Sequence, residues 1–256
     1  MTTYGLVHGA WHGGWCWKKV TPLLRTSGHD VYTPTLTGLG ERAHLLSPEV
    51  NLHIHIQDIV AVVEYEDLRE VVLVGHSYGG MVITGVAERV PARLRQLVYL
   101  DAFVPEHDQS LFDLNPPAWS ARFQELAQTQ GDGWRIPRRE LDQWGVTMPD
   151  DVAWMTPRLG DQPLRAVTQP VQRQNPAAQA LPRAYIRCAH GLYPTFVATA
   201  ARIRADQRWR YRELPTGHDA MVTMPQQLAA ALLELVSSTN HDSLCGLGCH
   251  KAASQP

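Results

Sequence analysis

A chain of 256 residues with 44% hydrophobic and 19% charged side chains holds ample apolar material for a core, which excludes disorder over most of its length. The length fits one α/β domain carrying an insertion, residues 1–240, followed by a short tail. The formal net charge of -2, from 23 basic and 25 acidic side chains, leaves no basic excess for a nucleic-acid partner. No apolar run of about 18 residues is present to cross a membrane.

Taken in chain order, apolar β-type runs alternate with helix-type periodic stretches, the pattern of a parallel sheet with helices on both faces. Met1-Thr2-Thr3 shows no basic region and no cleavage site, so no secretory leader is expected. Tyr4 to Val7 reads as a short buried strand ending at His8-Gly9. Gly14 to Ser27 reads as a helix burying Trp15, Val20, Leu23 and Leu24, with Gly28 as its stop. Asp30 to Pro34 is a second strand, followed by a loop through Gly38 and Gly40. His53 to Tyr65 is a helix with Ile54, Ile59, Val62 and Val63 as its core candidates. Val71-Val72-Leu73-Val74 is the unbroken apolar run of a strand buried on both faces. Gly79 to Val90 is helical until Pro91 stops it, and Leu97 to Leu100 is the next strand.

From Pro105 to about Leu181 the alternation breaks. Pro, Gln, Arg and four tryptophans (Trp119, Trp134, Trp144 and Trp154) mark an inserted helical cap with no β-run. The sheet pattern then resumes with a strand at Ala184 to Cys188, a helix at Pro194 to Ile203, a strand at Trp209 to Leu214 and a helix at Pro225 to Val236. That makes about six strands. The polar residues 241–256 read as a disordered tail. Four scattered cysteines are too few for a disulfide scaffold, and a cytoplasmic setting is expected.

The chemistry-bearing signal is Gly75-His76-Ser77-Tyr78-Gly79. It follows an apolar strand and opens a helix, the setting of a nucleophile elbow, in which a strained turn presents Ser77 above the sheet edge. A serine hydroxyl needs a base. His218 sits in a loop after the last strand, where Gly217 permits a tight turn back toward Ser77. The oxyanion of an attacked carbonyl needs fixed donors. The Tyr78 N–H is one, and the Ala10 N–H of the loop His8-Gly9-Ala10-Trp11-His12-Gly13-Gly14 is the other. That loop has neither the spacing nor the lysine of a phosphate-binding loop.

The segments Val7 to Trp15, Val74 to Met81 and Gly217 to Met221 resemble the α/β-hydrolase superfamily. They resemble most the branch of plant methylesterases, related bacterial esterases and hydroxynitrile lyases. The resemblance runs from Tyr4 to about Val236 and is weakest in the cap. It implies an α/β-hydrolase fold, a Ser-His-acid triad, no cofactor and no metal. It also implies a small-molecule ester substrate in an apolar pocket under the cap.

The sequence departs from that branch at one point. Plant methylesterases carry the acid in the loop after the strand matched by Ala184 to Cys188, and Ala189-His190-Gly191-Leu192-Tyr193-Pro194 contains no carboxylate. Asp101, a carboxylate inside the apolar run Leu100-Asp101-Ala102-Phe103, is the alternative acid, since a charge there needs a partner such as His218. Hydroxynitrile lyases of the branch carry a threonine where this chain has Gly9 and a lysine where it has Asp219, so both positions are esterase-like.

The expected activity is a serine esterase acting through an acyl-enzyme. The rivals are a C–C bond cleaving enzyme such as a hydroxynitrile lyase and a receptor-like slow hydrolase. A halide-removing enzyme is disfavoured because it wants a carboxylate at position 77. His53 and His55 face different ways on their helix, and His8 and His12 lie in a loop, so none reads as a metal ligand. Cys245, Cys249, His241 and His250 of the tail are discounted as a zinc site. Oligomeric state stays open, a homodimer included.

Overall fold

The computed structural model describes residues 1–191 and 193–242. Six parallel strands form one sheet: β1 (Thr3–Val7), β2 (Asp30–Tyr32), β3 (Val71–His76), β4 (Leu94–Leu100), β7 (Arg183–Cys188) and β8 (Trp209–Leu214). Their order across the sheet is β2-β1-β3-β4-β7-β8. All six residues of β3 are buried, which requires cover on both faces and explains why its sequence is nearly unbroken Val and Leu. The helix Leu52–Tyr65 packs on the helix Gly79–Arg89, and Thr21–Thr26 packs on Pro225–Asp242. No described helix is long and apolar enough to cross a membrane.

The differences from the sequence reading have local causes. The stretch from Gly14 is a 3-10 turn, Gly14–Lys19, followed by the α-helix Thr21–Thr26, with Pro22 in its first turn. Only Val20 and Leu24 of the four core candidates there are buried, and Trp15 and Leu23 are partly covered. In the helix Leu52–Tyr65 the buried face is Leu52, His55, Ile56, Ile59, Val60 and Val63, an i, i+3, i+4 stripe that includes a histidine. Ile54 and Val62 lie at its edge. Strand β4 begins three residues earlier than expected, and β2 ends two residues earlier.

The insertion between β4 and β7 is not purely helical. Its helices include Leu111–Leu114, Pro117–Gln130, Pro149–Met155 and Leu164–Thr168. It also holds a two-residue antiparallel ribbon, β5 (Arg135–Ile136) with β6 (Gln162–Pro163), too short to leave a periodic signal. Trp144 is buried, and Trp119 and Trp154 pack against the core. The last helix reaches Asp242, so His241 lies in its final turn, and the rest of the expected tail lies outside the described residues.

Because every strand of the large sheet runs the same way, the loops after β1, β3, β4 and β8 open at one edge. That edge is where parallel α/β sheets gather their functional groups.

Candidate active site

Ser77 follows the last residue of β3 with φ +54°, left-handed backbone that a non-glycine residue adopts only under constraint. The constraint is visible. Its N–H donates to Leu100 O at 3.2 Å, and its carbonyl accepts from Gly80 N and Phe103 N, both at 3.1 Å. A side chain at position 80 would run into the carbonyl oxygen of Phe103, so the helix can approach the strand end only with glycine there.

His218 leaves β8 through Gly217, where a Cβ would sit 2.5 Å from Trp144 O, and its N–H donates to that same oxygen at 2.7 Å. The insertion thus fixes the histidine loop. His218 Nδ1–H donates to Asp101 Oδ2 at 2.7 Å. Asp101 is fully buried with φ +41°, and its N–H donates to Ile186 O at 2.7 Å. Its second oxygen, Oδ1, accepts from Cys188 N at 3.2 Å and from Arg187 Nη1. Arg187 also donates to Gly191 O. Arg187 was not among the sequence candidates. The available signal was a charged residue inside the apolar strand run Ala184 to Cys188, next to a loop with no carboxylate. Phe196 stacks on the His218 ring at 5.1 Å between centroids and 14° between planes.

The loop after β1 is held by two histidines whose surroundings act on their charge in opposite senses. His8 Nδ1–H donates to Gly9 O at 2.8 Å, and its Nε2 accepts from Leu36 N at 3.0 Å, so the ring is neutral. Burial holds its pKa down at about 3. His12 Nδ1–H donates to Ala10 O at 2.7 Å, and its Nε2 lies 3.4 Å from Asp219 Oδ1. Burial opposes charge on His12, but Asp219 and the bond to Ala10 outweigh it and raise the pKa. Burial would push the Asp219 carboxyl up. Its imidazole neighbours, His12 foremost, hold it at about 2 instead. His12 and Asp219 are therefore buried neighbours, each favouring the charged form of the other, a role the loop position of His12 did not reveal.

His76 Nε2 lies 3.7 Å from Asp219 and donates to His218 O at 3.1 Å. Burial, then the charge of His218, pushes its pKa well down. A Cβ at Gly9 would lie 2.9 Å from His76 Nδ1 and 3.0 Å from Ser77 Cβ. Trp11, at φ +64°, is clamped by the insertion at its N–H (Gln162 Oε1, 3.2 Å), its carbonyl (Gly160 N, 3.0 Å) and its indole N–H (Ile136 O, 3.2 Å).

Tyr78 is fixed by His55. The His55 Nε2–H donates to Thr37 O at 2.9 Å, so its Nδ1 accepts from the Tyr78 hydroxyl at 2.8 Å. Burial holds His55 at about 4. His53 is exposed, so the pair does face different ways.

Ser77, His218, Ala10 and Tyr78 line one cavity with Trp11, Phe103, Phe123 and Trp144. The arrangement supplies a hydroxyl, an imidazole backed by a carboxylate, and backbone amides in an aromatic enclosure, the parts needed for acyl transfer. Among the described residues no group of three or more His, Cys, Asp or Glu side chains is arranged to hold a metal. The discounted Cys245, Cys249 and His250 lie outside the described residues.

Comparison with known proteins gives a consistent answer. A family model described as Alpha/beta hydrolase family matches residues 6–231. The chain is 42% identical over 246 residues to the carbendazim hydrolyzing esterase of Nocardioides sp. (strain SG-4G), covering 92% of this chain and 100% of that protein. It is 37% identical over 102 residues to salicylic acid-binding protein 2 of Nicotiana tabacum, covering 40% of this chain and 39% of that protein. Among solved structures, an extracellular alpha/beta-hydrolase from a Paenibacillus species superimposes with a TM-score of 0.81 at 23% identity. That match covers 92% of this chain and 99% of the other.

Proposed function

The chain belongs to the alpha/beta hydrolase family and is a carboxylic ester hydrolase, and we propose that it acts as a serine esterase through Ser77, His218 and Asp101. The observation that carries this reading is the His218 Nδ1–Asp101 Oδ2 hydrogen bond of 2.7 Å, with Ser77 and His218 facing one cavity.

Asp101 accepts the hydrogen bond from His218 Nδ1–H and so leaves the Nε2 lone pair free as the base. His218 takes the Ser77 proton as the oxygen attacks the ester carbonyl. The Ala10 and Tyr78 amides hold the resulting oxyanion. Protonated His218 then delivers its proton to the departing alcohol, leaving an acyl-Ser77 ester. Water, deprotonated by the same imidazole, attacks that ester, and collapse returns the acid and the free serine.

Residues 105–181 act as a cap over the domain of residues 1–240. Their contacts to Trp11 and His218 support that role. Asp219, where hydroxynitrile lyases of the branch carry a lysine, supports the esterase reading over the lyase one.

The test is hydrolysis of p-nitrophenyl acetate, small methyl esters and carbendazim, the compound in the name of the Nocardioides relative. Ser77→Ala is expected to abolish turnover of every ester that the wild type cleaves. Turnover retained in that variant points to another nucleophile.

A further inference from the structure

The wall facing Ser77 and His218 is aromatic, built from Trp11, Phe103, Phe123, Trp144, Tyr193 and Phe196. Asn115 interrupts it. This residue lines the same cavity, is only 7% exposed, and follows the helix Leu111–Leu114. A capping box of Ser110 and Asp113 closes the other end of that helix. The Asn115 N–H donates to Phe112 O at 3.3 Å, which fixes the backbone. The Thr195 hydroxyl, 3.1 Å from Asn115 Oδ1 and 3.2 Å from Leu114 O, shares its one proton between these two oxygens and so holds the carboxamide against the helix end. The amide nitrogen, Nδ2, is buried and has no hydrogen-bond partner among the described residues.

Among the described residues the two Nδ2 N–H bonds thus lack an acceptor, on a side chain that lines a cavity walled mostly by aromatic rings. Such donors are unfavourable until an acceptor meets them. The surrounding rings favour a flat partner that can stack or meet them edge to face. We propose that Asn115 is a specificity-determining residue whose Nδ2–H₂ donates to an acceptor on the ring of an aromatic substrate. The preferred esters are then those of flat heteroaromatic acids carrying a ring nitrogen or comparable acceptor. This proposal rests on the serine-esterase reading.

The experiment measures kcat/KM for methyl picolinate, methyl nicotinate and methyl isonicotinate, each divided by the value for methyl benzoate. The ratios are taken in the wild type, Asn115→Leu and Asn115→Asp. Ring nitrogens also activate the carbonyl, but that effect is common to all three enzymes and cancels on comparing ratios. For at least one isomer the ratio is expected to fall about tenfold in Asn115→Leu, the worth of one hydrogen bond in a desolvated site. Asn115→Asp keeps the size and the Thr195 contact but replaces the donor with an acceptor, so the ratio falls for the same isomer.

Ratios within twofold of wild type for all three isomers in both variants overturn the proposal. A ratio that falls in Asn115→Leu but stays at the wild-type value in Asn115→Asp also overturns it, because the free atom then acts as an acceptor. Ser77→Ala is run alongside. Turnover retained there removes the underlying esterase reading, whereas an inactive Ser77→Ala with unmoved ratios removes only the role of Asn115.

Discussion

Asp101 and His218, 117 residues apart in the chain, meet through a 2.7 Å hydrogen bond at the open edge of the sheet. Asp101 follows β4 and His218 follows β8, so β7 lies between their strands. The carboxylate crosses that gap from a strained backbone, φ +41°, anchored by its own N–H to Ile186 O on β7. Asp101→Asn is expected to lower kcat by about a thousandfold or more. KM and the unfolding midpoint are expected to stay near wild type, because the amide fills the same space but favours the wrong histidine tautomer. Steady-state kinetics with a chromogenic ester checks this, and a loss below tenfold removes Asp101 from the mechanism.

Arg187 shares the same carboxylate. Both partners are buried, so removing the guanidinium leaves the carboxylate uncompensated at a cost of about 3–5 kcal/mol. Arg187→Met is therefore expected to lower the urea unfolding midpoint markedly, and Arg187→Lys, which keeps the charge, is expected to recover part of the loss. An unfolding midpoint at the wild-type value in Arg187→Met refutes the structural role of the pair.

Much of this site was legible in the sequence because its residues break local rules. Ser77 sits between glycines at a strand-to-helix junction, and Asp101 is a charge inside an apolar run. The parallel sheet was legible because central strands such as Val71–His76 are apolar throughout. The remainder depends on tertiary meeting points. His12 reads as a loop residue until Asp219, more than 200 positions later, folds beside it. His55 reads as a polar interruption until Tyr78 and Thr37 bracket its ring. The β5–β6 ribbon has two residues per strand, below the length at which alternation registers. Asn115 acquires meaning only from the aromatic wall assembled around it.

Gly9 and His76 form a coupled pair. A Cβ at position 9 would lie 2.9 Å from His76 Nδ1, tighter than packed atoms accept. Gly9→Ala is therefore expected to displace the loop carrying the Ala10 amide and to lower kcat about 10- to 100-fold with little change in KM. Shortening the obstructing side chain gives the loop room to return. In a double-mutant cycle, Gly9→Ala with His76→Ala is expected to lose less than the product of the single effects, with a coupling of about 1 kcal/mol or more. Strictly multiplicative losses refute the steric link.

The buried histidines also set how the fold responds to pH. His8 and His55 are held neutral by burial at about 3 and about 4, and His76 is held well below its ordinary value. Unfolded, each would take up a proton near pH 6.5. Between about pH 6.5 and 4 the unfolded state therefore binds more protons than the folded one, and stability falls on acidification. The slope is up to about 1.4 kcal/mol per pH unit for each of the three. His12 works in the opposite sense. Its pKa is raised by Asp219 despite burial, so its contribution is fully present below about 6.5 and is lost as pH rises through the folded value. Asp219, at about 2, adds stability that is lost only as pH falls below the ordinary carboxylate range. The two histidine effects together place maximum stability near neutrality. Urea midpoints measured at pH 5, 6, 7 and 8 are expected to peak at pH 6 or 7 and to drop most steeply on the acid side. His55→Gln is expected to flatten that acid slope. A midpoint that stays level or rises from pH 7 to pH 5 refutes the assignment of these rings as neutral in the folded protein.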